Sequence, residues 1–229
     1  MSSRRANPRI WDTDWLMLRG MSRTLERLLA EHVHEGDRVL DFGCGDMPYR
    51  AMIEGRRATY LGADFEGDAD VRISPAGNLA IGDASVDVLI SVQVLEHVRD
   101  LAAYFAEISR VLKPDGRLLL STHGTWLYHP HPEDHRRWTR TGLIHDIESH
   151  AFSVRDIETI IGPLGTTTMI RSTGFAFFLR RLPILGQLLA GLVATIMNAR
   201  GWFEELITPE QIRIDNGCVY MTYCEKLRT

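Results

Sequence analysis

At 229 residues, 45% of them apolar and 24% charged, the chain suits one globular domain with a full core. Its net charge of −4 excludes a general attraction to nucleic acid, which calls for a basic surface. Three cysteines make no disulfide framework, and Arg4, Arg5 and Arg9 lead into no apolar run of a secretory signal, so a cytoplasmic protein is expected.

Leu18, Met21, Leu25, Leu28 and Leu29 recur at helical spacing and predict an N-terminal helix over 15–34. Gly36 and Asp37 break that pattern, and Arg38 to Phe42 reads as a buried strand running into Gly43-Cys44-Gly45. Neither glycine has a Cβ, so a bulky ligand can press against bare backbone there. Asp41 would repel a pyrophosphate and attract a cationic amine. Pro48 stands where the dinucleotide fingerprint needs its third glycine. Both points favour S-adenosylmethionine over NAD or ATP.

A short helix should follow from Pro48, a residue suited to a first helical position. Thr59 to Ala63 is a second strand ending at Asp64, Asp70 to Ile73 a weaker third, and Val86 to Val92 a buried fourth. Asp100 is a fitting cap for a helix that places Leu101, Tyr104, Phe105, Ile108, Val111 and Leu112 on one face. Pro114-Asp115-Gly116 stops it, and Arg117 to Thr122 forms the fifth strand. A helix near 141–150, a strand near 154–161 and a last strand over 219–225 complete the pattern. The alternation predicts an α/β fold: a doubly wound, mostly parallel seven-stranded sheet in a single domain, with a helical insertion before the last strand.

Two segments depart from that rhythm. The loop over 123–140 should hang above the carboxyl ends of the strands, and six of the chain's 9 histidines fall between His123 and His150. It reads as a polar lid packed by Trp126, Tyr128 and Trp138, or as the source of a general base, with His123 or His135 foremost. A metal site from His129, His131 and His135 with Glu96 and His97 is the third reading, although proline-separated histidines form no zinc signature.

The second segment, 174–203, holds an uncharged run from Leu182 to Ala199 flanked by Arg180, Arg181 and Arg200, with Trp202 nearby. Pro183, Gly186, Gln187, Gly191, Thr195 and Asn198 dilute it below a clean spanning helix, which needs about 18 apolar residues or more. It is expected to pack over the domain or to touch a membrane surface, where cationic and Trp flanks are at home.

Five pieces in this order resemble the class I S-adenosylmethionine-dependent methyltransferases, above all the branch related to ubiquinone-biosynthesis methyltransferases. They are Val39-Leu40-Asp41-Phe42-Gly43-Cys44-Gly45, Asp64, Ser85-Val86-Asp87-Val88-Leu89, Val94-Leu95-Glu96-His97-Val98 and Arg110-Val111-Leu112-Lys113-Pro114-Asp115-Gly116. The resemblance covers about residues 33–152 and implies a Rossmann-like methyltransferase fold. It also implies that Asp41, Gly43 and Gly45 hold the methionyl end of the cofactor and that Asp64 accepts the ribose hydroxyls. The family places an adenine-binding acid after the third strand, where Ser74 stands, with Asp70 and Asp83 as alternatives. Ser91 and Gln93, at the carboxyl end of the fourth strand, are expected to line the reaction chamber.

The run Asp134-His135-x-x-Trp138-Thr139-x-x-Gly142, with Pro48-Tyr49-Arg50, resembles a motif of methyltransferases from bacterial glycan and lipid gene sets, with His135 in place of an aromatic residue. The expected function is O-methylation of a small-molecule, glycan or lipid-linked acceptor, with peripheral membrane contact through 174–203. Two rivals stand beside it. Metal-dependent small-RNA 2′-O-methyltransferases are matched at Glu96-His97 and Asp134-His135…Trp138-Thr139-Arg140, but carry a glutamate where this chain has Gln93. A cofactor-binding module without turnover is the other.

Overall fold

The structure, a computed structural model, describes residues 4–130 and 133–227. Its elements run α1 (Trp15–His32), β1 (Arg38–Phe42), α2 (Arg50–Glu54), β2 (Thr59–Asp64), β3 (Val71–Arg72) and β4 (Val86–Val92). A single 3-10 turn (Leu95–His97) precedes α3 (Leu101–Val111), β5 (Leu112–His123), α4 (Arg140–Glu148) and β6 (Phe152–Ile160). Then come α5 (Pro163–Leu179), α6 (Gly186–Ile207), α7 (Glu210–Asp215) and β7 (Val219–Lys226).

The strands form one seven-stranded sheet in the order β3-β2-β1-β4-β5-β7-β6. All neighbours pair in parallel except β7, which runs antiparallel between β5 and β6. Strands covered on both faces need apolar residues on both, and that is why β4 is apolar at every position but Asp87 and Ser91. Val39, Val88, Ile90 and Leu119 pack on one face against α1 and α2. Leu40, Leu89, Leu118 and Leu120 pack on the other against Phe105, Ile108 and Val111 of α3 and Leu143 and Ile147 of α4. The doubly wound architecture expected from the sequence is the one observed.

Local chemistry sets most of the boundaries. The Asp100 carboxylate accepts from the Ala103 N–H at 3.0 Å and opens α3. Thr139 does the same for α4 through the Gly142 N–H at 3.1 Å. The helical insertion differs in extent from the expected 174–203: its three helices lie within Pro163–Asp215, and the uncharged run 182–199 begins in the turn before Gly186 and continues into α6. Pro163 at the first turn starts the insertion early.

Topology fixes where that insertion emerges. Val219 of β7 pairs with both His123 of β5 and Ile160 of β6. The chain therefore leaves and re-enters the sheet at the end where β1, β4 and β5 finish, the end at which α/β sheets bind ligands.

Candidate active site

β1 delivers Asp41 into the core, where the side chain is buried and accepts a 2.7 Å hydrogen bond from the Tyr60 hydroxyl on β2. Burial pushes the Asp41 carboxyl up to about 7, outweighing the Tyr60 bond that favours ionisation. Tyr60 is itself steadied by Arg50, whose guanidinium lies 4.8 Å over its ring and 2.7 Å from Asp70. The Pro48-Tyr49-Arg50 run thus supports the group that clamps Asp41. Sequence reasoning missed Tyr60; its signal was an aromatic hydroxyl on the strand paired with β1.

The turn after β1 needs its glycines for two different reasons. Gly43 has φ +81°, and a Cβ there would meet Val94 Cγ2 at 2.5 Å. Gly45 has φ +52° with open space where its Cβ would stand, a cradle that a side chain would fill. Asp64 at the end of β2 reaches back to this turn. Its Oδ2 accepts from the Gly45 N–H at 2.8 Å and its Oδ1 from the Phe65 N–H at 2.7 Å. Each carboxylate oxygen keeps a second acceptor site for a ligand hydroxyl.

Two cavities flank the turn. One, of about 420 Å³, is mostly apolar and is walled by Gly43, Phe65, Ile73, Ala76, Val94 and Tyr104. The other, of about 510 Å³, lies between the strand ends and α1, with Asp46, Tyr49, Gln93, His123, Trp126 and His129 among its walls. Gln93 has φ +59°, a strained conformation for a residue with a side chain, and its N–H is held by Ser121.

The expected site residues separate on this geometry. Asp41, Gly43, Gly45 and Asp64 meet around one turn. Ser91 is fully buried, its hydroxyl 2.5 Å from that of Tyr104, and so lies beneath the chamber that Gln93 lines. Ser74 stays beside the smaller cavity, but its hydroxyl accepts from the Asn78 N–H at 3.0 Å and closes a turn. Asp70 accepts from the Gly62 N–H at 2.9 Å as well as pairing with Arg50. Asp83 precedes β4, at the far end of the sheet, and pairs with Arg110.

The histidines separate too. His123 is buried on the wall of the larger cavity, with its Nε2 3.4 Å from Glu96 Oε1 and its ring stacked on Trp126. Burial pushes this imidazole far down, to about 2, so it is neutral. Glu96 is fully buried; Thr122 donates to its Oε2 at 2.9 Å, while Oε1 has no hydrogen-bond partner. Burial raises the Glu96 carboxyl to about 7. His135 instead turns outward, its Nε2 3.1 Å from Glu133, and contributes its backbone N–H to the Glu96 carbonyl at 2.8 Å. His97 lies beside the smaller cavity, with its Nδ1 against the Glu133 carbonyl. His131 lies outside the described residues.

Ligand atoms of Glu96, His123 and His129 lie within 4.8 Å of one another and could hold a metal ion. This set overlaps the expected one at Glu96 and His129 but brings in His123. Asp134 and Arg137, which sequence reasoning gave no structural task, pin the loop. Their side chains pair, Asp134 accepts from the His129 N–H at 2.9 Å, and Arg137 donates to the Leu127 carbonyl at 2.7 Å. The paired guanidinium holds the Asp134 carboxyl far below the usual carboxylate range.

A family model described as a methyltransferase domain matches residues 16–161. The chain belongs to that family. The match spans β1 to β6 and so contains the glycine turn, Asp64, Glu96 and His123.

Among curated relatives, a probable S-adenosylmethionine-dependent methyltransferase of Mycolicibacterium smegmatis is 30% identical over 142 residues, covering 55% of this chain and 55% of its own length. The ubiquinone biosynthesis O-methyltransferase of Brucella ovis is 30% identical over 103 residues, covering 38% of this chain and 42% of that protein. The chain thus spans about half the length of the curated relatives it matches.

Among solved structures, the [4+2]-cyclase SpnF aligns with a TM-score of 0.59 at 19% identity, covering 91% of this chain and 82% of that one. The 1,6-didemethyltoxoflavin N1-methyltransferase of Burkholderia thailandensis, solved with S-adenosylhomocysteine, aligns at 0.58 and 16% identity, covering 95% and 81%. At these identities the likeness establishes the Rossmann-like methyltransferase fold. S-adenosylmethionine is the cofactor of this family, and the methyltransferase turn described above has the shape and charge to fit it.

Proposed function

We propose that this protein transfers a methyl group from S-adenosylmethionine to a hydroxyl of a small-molecule, glycan or lipid-linked acceptor. The observation that carries the reading is Asp41: a buried carboxylate beside a turn free of side chains, with a buried histidine in the cavity next to it. When bound, the cofactor supplies an activated methyl group on a positively charged sulfur. The chain's part is to hold and align.

Asp41 offers a counter-charge to a cationic ligand, and the Gly43–Gly45 backbone allows close approach. The vacant acceptor sites of Asp64 suit ribose hydroxyls, and the apolar cavity of about 420 Å³ suits the adenine ring. The larger cavity then takes the acceptor, with His123 placed to accept the hydroxyl proton and the Glu96 carboxylate, 3.4 Å from its Nε2, placed to stabilise the imidazolium that burial alone disfavours. Alignment of bound reactants can supply roughly 7–11 kcal/mol of a barrier in the best cases, and a positioned base about 10²–10⁴-fold more. A lipid-linked acceptor would reach this cavity from the side of the apolar insertion, and membrane contact through 174–203 belongs to the same reading.

The test is calorimetry with S-adenosylhomocysteine followed by a labelled-methyl screen of hydroxylated acceptors. Uptake of the ligand with product formation that the His123→Ala change slows by about 10²–10⁴-fold is the expected result. Ligand uptake with no transfer to any acceptor class would favour the non-catalytic binding module.

A further inference from the structure

Helices α5 and α6 are packed inside out. The side chains they bury are mainly small: Gly165, Ser172 and Ala176 on α5, and Ala190, Ala194 and Gly201 on α6, with Met169 the one large apolar side chain among them. Most of the large apolar side chains face outward instead, while Ile170, Leu189 and Met197 are half-buried. Phe177, Phe178, Leu192 and Ile196 are exposed, Leu188 is 71% exposed, and Ile184 in the connecting turn is 99% exposed. In water this arrangement forgoes about 1.5–3 kcal/mol for every large side chain left outside. In lipid it is the favoured one, since small residues bring two helices close while large ones meet acyl chains.

Charge points to the kind of lipid. The two helices and their connecting turn carry Arg171, Arg180, Arg181 and Arg200 against Glu204 and Glu205 at the end of α6, where Glu204 pairs with Arg200. Arg171, Arg180 and Arg181 leave the α5 side and the turn cationic in a chain whose net charge is −4. A cationic, apolar face is complementary to an anionic leaflet, and arginine can keep its head at the headgroups while its stem stays in the apolar layer. A second copy of this chain would bring like charges together. Between the helices an apolar groove of about 420 Å³, walled by Phe175, Phe178, Leu179, Val193, Ile196 and Met197, opens on the outer surface. Among the described residues no helix is long and apolar enough to cross a membrane.

We infer that α5 and α6 form a monotopic anchor that sinks its outer face into one leaflet of an anionic bilayer. The anchor is tied to the segment ahead of α1. Asn198 of α6 donates to the carbonyls of Ile10 and Asp12 at 2.6 and 2.8 Å, and Arg4, Arg5 and Asp14 of the same segment line the larger cavity. Its use, the delivery of a membrane-borne acceptor, rests on the function proposed above; the docking itself does not.

The experiment is flotation of the purified full chain with vesicles of phosphatidylcholine, with and without phosphatidylglycerol, run beside S-adenosylhomocysteine calorimetry on the same preparations. Wild type should float with the anionic vesicles. The double change Ile184→Asp with Leu188→Asp, at exposed positions, should weaken binding by about tenfold or more. Arg180→Glu with Arg181→Glu should abolish the preference for phosphatidylglycerol, and all three proteins should take up S-adenosylhomocysteine alike. Wild type left unbound by anionic vesicles, or an Ile184/Leu188 variant that floats as well as wild type, overturns the anchor. So does a wild-type dimer that ignores vesicles and that the same variant dissociates. Vesicle binding with no ligand uptake by any of the proteins would instead overturn the proposed function and leave the anchor standing.

Discussion

Asp41 is held in the core by one hydrogen bond from Tyr60, and burial keeps its carboxyl near 7 instead of the ordinary 3.8. For an acid raised in this way, the stabilising contribution is complete below the ordinary value and is lost as pH rises through about 7. Wild type should therefore lose melting temperature relative to Asp41→Asn between about pH 5 and about pH 8. The same substitution should weaken S-adenosylhomocysteine binding by roughly ten- to hundredfold, the worth of a charge-assisted bond. Wild-type affinity should rise with pH up to about 7 and Asp41→Asn affinity should not, as calorimetry across that range would show.

His123 and His135 could not be ranked from the sequence, because nothing there said which one the fold buries. The structure separates them, with His123 on the cavity wall and His135 turned outward toward Glu133. His123→Ala should lower methyl transfer by about 10²–10⁴-fold and His135→Ala by far less, measured as initial rates with one acceptor. Chelator treatment should leave the wild-type rate unchanged. A loss restored by a divalent cation would hand the proton's removal to an ion held by Glu96, His123 and His129.

Among the elements, the strands were the easiest to read, since β4 is short, rich in the β-branched residues Val86, Val88, Ile90 and Val92, and buried at every position but Asp87. The Asp100 cap was legible because its chemistry is local, whereas the Thr139 cap of α4 was not read. Asp100→Ala should cost about 1 kcal/mol of stability, read from denaturant midpoints at unchanged slope. Gly43→Ala should cost about 1–3 kcal/mol, because the backbone there has φ +81° and the new methyl would strike Val94.

The insertion was the hardest element to bound. Helix periodicity finds a stripe of large apolar residues facing a core, whereas α5 buries Gly165, Thr168 and Ser172 and turns Phe175 and Phe178 outward. A stripe of small residues carries little signal, so only the uncharged middle stood out. The glycine turn, by contrast, could be found because its chemistry is local, whereas the Tyr60 clamp and the Glu96–His123 contact join distant parts of the chain.

At the scale of the whole molecule, β7 sets the relation between chemistry and surface. Because Val219 pairs with His123 on one side and Ile160 on the other, the inserted helices leave the sheet beside the catalytic candidate. An enzyme tethered through such a rim searches two dimensions instead of three. Its turnover would then track the mole fraction of acceptor in the lipid, not its bulk concentration, and dilution with inert detergent or phospholipid at constant acceptor should slow it. A water-soluble analogue of the same acceptor would escape that dependence entirely.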